Sequence, residues 1–214
     1  MMKDIVIIGA GGFGREVAWL IEDINNVKEE WNIIGYVDDN VSAKEENLNG
    51  YELVGDIDWL MDQSYYVVSA IGNPIVNKKI VDRLAISRNK YATLIHPSVI
   101  CSNTSSIGEG SIICAGNIIT VNASIGKHVI INLDSTIGHD AIINDYTVIL
   151  PSVNISGHVN LESGVSVGTG SAIIQGLTIG KNSIIGAGSV VVKDIPANCT
   201  AVGAPAKPIK FHNN

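Results

Sequence analysis

Residues 125–143 read IGKHVIINLDSTIGHDAII, and a branched aliphatic residue stands at every sixth position, at Ile125, Ile131, Ile137 and Ile143. The same spacing continues without a break from Ile107 to Val191. A period of six matches neither the 3.6-residue period of an α-helix nor the alternation of a half-buried strand. It is typical of hexapeptide repeats, which build a parallel β-helix. The sequence therefore predicts a triangular solenoid with six residues on each side of a coil.

Stacked coils place the repeated aliphatic residues in three inward-facing columns. One predicted column consists of Ile113, Ile131, Ile149, Val167 and Ile185. Successive coils rise by about 4.8 Å, the spacing between paired strands. Because the ends of such a stack expose unpaired strands, we expect the N-terminal region to cover one end and the tail after Asp194 the other.

A glycine-rich turn near the N-terminus follows a β-branched run and precedes a helical pattern. The run is residues 4–8, the turn contains Gly11, Gly12, Phe13 and Gly14, and the helical pattern begins at Arg15. Glycines let the backbone approach a phosphate closely, and the helix N-terminus offers unpaired N–H groups. This order favours a nucleotide phosphate as ligand, and a tight turn without a ligand is the alternative.

Two further predicted strands end in residues that suit the same crevice. Residues 31–37 lead into Asp38 and Asp39, which are placed to meet a ribose or base, and residues 65–71 lead into Gly72 and Asn73. In a parallel sheet, ligands bind outside the carboxyl ends of the strands. We therefore predict a nucleotide-sugar site formed by Gly11, Gly12, Phe13, Gly14, Asp38, Asp39, Gly72 and Asn73. Residues 75–90 have a helical composition.

The chain is predicted to have a mixed fold with two domains. Residues 1–92 would form an α/β Rossmann-like nucleotide-binding domain, and residues 93–214 a β-helix with a C-terminal cap. About 92 residues suffice for one mononucleotide-binding half and leave no room for a second. A nicotinamide oxidoreductase is therefore disfavoured.

Composition excludes several classes of protein. The net charge of −7 argues against a nucleic-acid surface, and no apolar run is long enough for a membrane span. Three cysteines without CxxC spacing predict neither a disulfide framework nor a zinc site, so no metal is expected. The N-terminus has too short an apolar run for a signal peptide, and the cytoplasm is the expected compartment.

The glycine turn, the unbroken hexads and the closing Val202-Gly203-Ala204-Pro205-Ala206-Lys207 together resemble the hexapeptide acyltransferases. The likeness is greatest to the branch that includes sialic acid O-acetyltransferases and UDP-4-amino-sugar N-acetyltransferases. This resemblance implies a left-handed β-helix and a homotrimer with acetyl-CoA bound between adjacent prisms. Together with the glycine turn and the His139-Asp140 pair described below, it leads to the hypothesis that the protein transfers the acetyl group to the amine of a nucleotide-linked sugar.

The repeat region contains three histidines, of which His139 is the predicted general base. His139 follows inward-facing Ile137 by two residues, and the next residue, Asp140, can accept a hydrogen bond from the imidazole. The family's catalytic histidine and its acidic neighbour fall on this pair. His158 lies one coil further along and is a possible supporting residue or an alternative base. His128 is expected to be a solvated surface residue.

The resemblance also implies residues for the acyl donor. Asn132, Gly157, Thr169 and Ala187 fall where relatives contact acetyl-CoA, whereas a second histidine that many relatives carry nine residues after the first is Val148 in this chain. Two other functions stay open. One is O-acetylation of sialic acid or another sugar hydroxyl, and the other is a non-catalytic trimeric solenoid that senses a nucleotide.

Overall fold

The computed structural model describes residues 2–40 and 48–212 of the chain. The N-terminal part forms a parallel sheet whose strand order is β3-β2-β1-β4-β5. Its strands are β1 (Lys3–Ile8), β2 (Trp31–Val37), β3 (Leu53–Gly55), β4 (Tyr66–Ser69) and β5 (Lys90–Tyr91). Helix α1 (Gly12–Val27) follows β1, a 3₁₀ turn spans Asp58–Asp62, and helix α2 (Pro74–Arg83) follows β4.

The rest of the chain is a parallel β-helix of two-residue strands, β6 to β22, on three faces. Face 1 contains β6 (Leu94–Ile95), β9 (Ile112–Ile113), β12 (Ile130–Ile131), β15 (Val148–Ile149), β18 (Ser166–Val167) and β21 (Ile184–Ile185). Face 2 contains β7 (Ile100–Cys101), β10 (Ile118–Ile119), β13 (Thr136–Ile137), β16 (Asn154–Ile155), β19 (Ala172–Ile173) and β22 (Val190–Val191). Face 3 contains β8 (Ser106–Ile107), β11 (Ser124–Ile125), β14 (Ile142–Ile143), β17 (Asn160–Leu161) and β20 (Thr178–Ile179).

The C-terminal tail continues face 1. Strand β23 (Cys199–Gly203) pairs in parallel with β21, and β24 (Ala206–Phe211) returns antiparallel to β23. The turns between faces form three edges of the prism, which we name edge 1–2, edge 2–3 and edge 3–1 after the faces they join. Among the described residues, no helix is long and apolar enough to cross a membrane.

The hexad register fills the interior of the prism as predicted. Every residue of the register from Ile113 to Val191 is at most 3% exposed. Each residue pairs with its counterpart eighteen positions away, as Ile119 does with Ile137 and Ile137 with Ile155. Burial of each aliphatic side chain contributes roughly 1.5–3 kcal/mol relative to an exposed position. The three columns are thus the core that holds the edges in place.

Small and polar residues two positions before the aliphatic register complete this core, and they follow the same six-residue period. Ser135, for example, is fully buried two positions before Ile137. Its hydroxyl donates to the carbonyl of Leu150 at 3.3 Å and accepts from the N–H of Val153 at 3.1 Å. Buried hydroxyls need such partners, so these serines tie one coil to the next.

Helix α1 packs the N-terminal sheet onto face 1 of the β-helix. The outward side chains of Ile112, Ile130 and Val148 belong to the same buried cluster as Leu20 and Ile21 of α1. Face 1 therefore carries a second apolar surface in addition to its inward column. The N-terminal sheet lies on that face, so the prediction that it covers one end of the stack is wrong.

Two predictions about local structure are wrong. The helix predicted for residues 75–90 ends at Arg83, and Asn89 instead accepts a hydrogen bond from the N–H of Tyr65 at 2.9 Å. His128, predicted to be solvated, is only 5% exposed. Its ring stacks on Tyr146 at 5.2 Å and meets the edge of Tyr91 at 4.6 Å, because the last strand of the N-terminal sheet lies over edge 3–1.

Because His128 is buried, we predict that the free energy of unfolding decreases in mild acid. Burial is the largest influence on this ring and lowers its pKa below the usual 6.5. The unfolded chain therefore takes up a proton at a higher pH than the folded protein does, so the contribution to stability is complete above about pH 6.5 and falls as the pH falls. Protonation of this one side chain can change the free energy of unfolding by at most about 1.4 kcal/mol per pH unit.

His128→Asn tests this prediction, since asparagine tolerates the positive φ of +54° at this position. We expect the variant to lose about 2 kcal/mol of unfolding free energy at pH 7.5 through lost packing. Its stability should then decline less than that of the wild type between pH 7 and pH 5, measured by urea unfolding. Equal slopes in the two proteins would contradict the assignment.

Candidate active site

His139 and Asp140 form a hydrogen-bonded pair on edge 2–3. Nδ1 of His139 lies 2.8 Å from Oδ2 of Asp140, and the His139 side chain is 48% exposed. The inward column fixes this corner, because Ile137 is fully buried two residues earlier. With Nδ1 facing a carboxylate, the favoured neutral tautomer carries its proton there and leaves Nε2, which lies beside Gly157, as the basic nitrogen.

Asp140 is held as an anion by its neighbours. The hydrogen bond with His139 is the largest influence that lowers its pKa, followed by a hydrogen bond from Nδ2 of Asn122 to Oδ1 at 3.3 Å. The residue has a positive φ of +58°, which aspartate tolerates better than most side chains do. A carboxylate that stays ionised can orient the imidazole and stabilise it after protonation.

His158 stands directly above this pair on the next coil. Its N–H donates to the carbonyl of His139 at 2.8 Å, and the two rings meet edge to face at 5.0 Å. Nε2 of His158 lies 3.7 Å from Oδ2 of Asp140. His139, Asp140 and His158 are the only group in residues 2–40 and 48–212 whose potential metal-ligand atoms lie within 4.8 Å of one another. The Nδ1 to Oδ2 hydrogen bond already uses the carboxylate, and we interpret the group as a proton-handling site.

Gly157 is covered by the His139 ring. A Cβ atom at Gly157 would lie 2.5 Å from Cε1 and Nε2 of that ring. The absence of a side chain therefore leaves room for the imidazole and exposes backbone beside it. Of the four residues predicted to contact the acyl donor, Gly157 is the one that shares edge 2–3 with His139.

The other three predicted donor residues lie on a different edge. Asn132, Thr169 and Ala187 all follow strands of face 1 and line edge 1–2, with Thr169 and Ala187 exposed. The side-chain oxygen of Asn132 accepts from the N–H of Leu133 at 2.7 Å. One chain thus does not bring these residues together with His139, because face 2 separates the two edges.

The predicted nucleotide residues gather at the carboxyl edge of the N-terminal sheet. Gly14 is buried against Gly9, where a Cβ atom would overlap the Gly9 carbonyl, whereas Gly11 and Gly12 are exposed. Gly11 is the N-cap of α1. Because glycine has no side chain, no side-chain hydrogen bond caps the first N–H groups of the helix. Glu16, Trp19 and Leu20 of α1 line a small cleft together with Ala115 and Leu133, which places α1 beside edge 1–2.

The polar side chains at this edge are already engaged within the protein. Oδ2 of Asp38 accepts from the N–H of Ala10 at 2.9 Å, and Asn73 caps α2 by accepting from the N–H groups of Ile75 and Val76 at 3.0 and 3.1 Å. Asp39 pairs with Arg83 at 2.8 Å. Burial acts to raise the pKa of Asp39, but the Ile57 N–H and Arg83 outweigh it and lower the pKa. These side chains shape the crevice.

Two cavities open at the same edge. One, of about 370 Å³, is lined by Asp38, Asp39, residues 53–55, Asp56 and Trp59. The other, of about 300 Å³, lies between residues 72–75 and the solenoid residues Gly164, Ser166, Asn182 and Ile184. Sequence patterns gave no signal for Trp59 or for these solenoid residues, because their role depends on how the two sheets pack.

Comparisons with known proteins agree with an N-terminal parallel sheet joined to a β-helix. Residues 4–84 match the PglD N-terminal domain family. The GDP-perosamine N-acetyltransferase of Escherichia coli O157:H7 is 31% identical over 157 residues, which cover 71% of this chain and 69% of that protein. The chain belongs to the hexapeptide-repeat sugar acyltransferase family.

Two other members of the family extend the comparison. The UDP-N-acetylbacillosamine N-acetyltransferase of Bacillus subtilis (strain 168) is 37% identical over 118 residues, which cover 53% of this chain and only 52% of that protein. The chain therefore matches about half the length of that relative. The acetyltransferase domain of PglB from Neisseria gonorrhoeae FA1090, solved in complex with acetyl coenzyme A, is 30% identical and has a TM-score of 0.90. That alignment covers 98% of this chain and 100% of the domain.

Proposed function

We propose that this protein transfers the acetyl group of acetyl-CoA to the amino group of a nucleotide-linked amino sugar. The observation that carries the proposal is the His139–Asp140 pair, exposed on an edge of a β-helix that is joined to a nucleotide-type sheet. Relatives named for N-acetyl transfer to UDP- and GDP-linked sugars support the class of acceptor, and the PglB domain bound to acetyl coenzyme A supports the donor.

The chemistry follows from the free Nε2 of His139. As the neutral amine attacks the thioester carbonyl, a C–N bond forms and Nε2 accepts a proton from nitrogen. Backbone N–H groups near Gly157 stabilise the oxyanion. The intermediate then collapses, the C–S bond breaks, and the protonated imidazole returns its proton to the thiolate of CoA. Asp140 holds the imidazole in the required tautomer throughout and stabilises its positive charge.

A homotrimer completes this site. His139 and Gly157 lie on edge 2–3, whereas Asn132, Thr169 and Ala187 lie on edge 1–2, beside helix α1 of the N-terminal domain. Face 2 joins the two edges and exposes Ile100, Ile118 and Val190, at 66%, 40% and 36%. If face 2 turns toward a threefold axis, edge 2–3 of one subunit meets edge 1–2 of its neighbour. Each site then takes its base from one subunit and its nucleotide domain from the next.

Acceptor-dependent release of CoA tests the proposal. Acetyl-CoA is incubated with UDP- and GDP-linked 4-amino sugars, with the matching 4-hydroxy sugars as controls, and free thiol is measured. We expect release with at least one amino sugar and none with its hydroxy counterpart. Release with free sialic acid or the hydroxy sugars alone would instead identify an O-acetyltransferase.

A further inference from the structure

Helix α1 carries an exposed tryptophan that the proposed mechanism does not use. Trp19 is 51% exposed, whereas Trp31 is buried and Trp59 is half-buried. It lines the small cleft between α1 and edge 1–2, together with Ala115 and Leu133. Tryptophan buries a large apolar area on contact and is enriched in protein interfaces. Trp19 therefore offers a contact surface beside edge 1–2.

The coil register gives the height of each edge residue along the prism. Val121 lies directly below the proposed catalytic pair, because the N–H of Asp140 donates to the carbonyl of Val121 at 3.1 Å. Ala115 precedes Val121 by six residues. Leu133 precedes His139 by the same interval. Six residues make one third of a coil, a rise of about 1.6 Å, so the cleft on edge 1–2 lies at the same level as Val121 and His139 on edge 2–3.

The threefold arrangement brings these levels together. Rotation about an axis parallel to the prism changes no height, so each level of one subunit meets the same level of the next. Edge 1–2 of one subunit then faces edge 2–3 of its neighbour, with Trp19 opposite the partner subunit's Val121. Val121 is apolar and 49% exposed. Contact between the two side chains would remove apolar surface of both from water.

Helix α1 connects this contact to the active site. Near the C-terminal end of the helix, Oδ2 of Asp23 lies 3.0 Å from Nε2 of His96 on the first coil, which fastens α1 to its own β-helix. At its N-terminal end, α1 begins at Gly12 within the glycine turn. Trp19 stands between these ends. Packing of Trp19 on the next subunit would thus set the distance from one subunit's glycine turn to the next subunit's His139.

We propose that Trp19 packs on the partner subunit's Val121 and so positions the nucleotide domain of one subunit beside the catalytic base of the next. The inference rests on the proposed function, whose threefold arrangement supplies the partner edge. Trp19 contacts no reacting atom and acts as a positioning residue.

Trp19→Ala is expected to raise the KM for the nucleotide sugar by about 10-fold, the effect of losing an aromatic interface residue. The KM for acetyl-CoA should stay within about threefold, because the predicted donor residues Thr169 and Ala187 lie on later coils. Trp19→Phe should keep most of the activity, since a phenyl ring still covers Val121. The control Val27→Ala removes a 74% exposed apolar side chain from the same helix and should match the wild type. An equal rise in both KM values, or unchanged kinetics in Trp19→Ala, would overturn the proposal.

Cross-linking tests the contact without substrate and so separates it from the proposed function. The variant Trp19→Cys is combined with Val121→Cys and with Cys101→Ser, which removes the exposed natural thiol. Face 2 separates the two introduced thiols within one chain, so a short bis-maleimide joins them only between subunits. We expect covalent dimers and trimers on a denaturing gel.

Trp19→Cys combined with Ile142→Cys in the same background is the matched control, since Ile142 is 47% exposed but lies on face 3. This pair should remain as single chains under the same treatment. If the Val121 pair also stays uncross-linked in a protein that sediments as a trimer, the contact is refuted while acetyl transfer stands. A protein that sediments as a monomer would overturn the proposal as well.

Discussion

His139→Asn is expected to lower kcat for acetyl transfer by about 10³-fold, within the range of a lost general base. The amide of asparagine can still donate to Asp140 but cannot accept a proton from the amine. Because the His139 side chain is 48% exposed, the fold does not depend on it, and the thermal midpoint should change little. Steady-state CoA release at pH 8 measures the effect.

Asp140→Asn is the companion variant for this prediction. It keeps the shape of the side chain but removes the charge that orients and stabilises the imidazole, so a smaller loss of kcat is expected than for His139→Asn. The double variant should be no less active than His139→Asn alone, since the two residues act as one unit. Undiminished turnover in His139→Asn would exclude His139 as the base.

Two inactive variants are expected to restore activity when they are mixed in one trimer. His139→Asn destroys the base on edge 2–3. Ala187→Trp places a large side chain on exposed edge 1–2, where it would block the donor without entering the core. A site that takes edge 2–3 from the Ala187 variant and edge 1–2 from the His139 variant has both parts intact.

The size of this recovery follows from symmetry. In a cyclic trimer assembled at random from equal amounts of the two chains, one site in four combines the two intact edges, so co-expression should give about a quarter of wild-type activity. Each variant expressed alone should have less than about one hundredth. If the mixed protein stays inactive while both variants fold and assemble, the site lies within a single chain and the trimer arrangement is wrong.

Local spacing was enough to predict the columns of the β-helix and the corner that carries His139. The six-residue register places Ile137 inside and therefore fixes where His139 and Asp140 emerge. The N-terminal parallel sheet was predictable for a similar reason, because each glycine turn follows a buried strand. Both features depend on residues close together in the sequence.

Long-range packing decided what the sequence did not predict. His128 is buried because β5 happens to lie over edge 3–1, and Tyr91 and Tyr146 close around it. Trp59 lines a cavity only because β3 stands beside the end of β2.

The most direct test of N-acetyl transfer by this protein is the stoichiometry of CoA release with a nucleotide-linked 4-amino sugar. CoA thiol is measured as it appears, and loss of the sugar's primary amine and gain of an acetamide are measured by mass spectrometry in the same reaction. We predict one CoA released and one acetamide formed per amine consumed, dependent on His139. Binding of acetyl-CoA without any acceptor-dependent release across UDP- and GDP-linked amino sugars would contradict it.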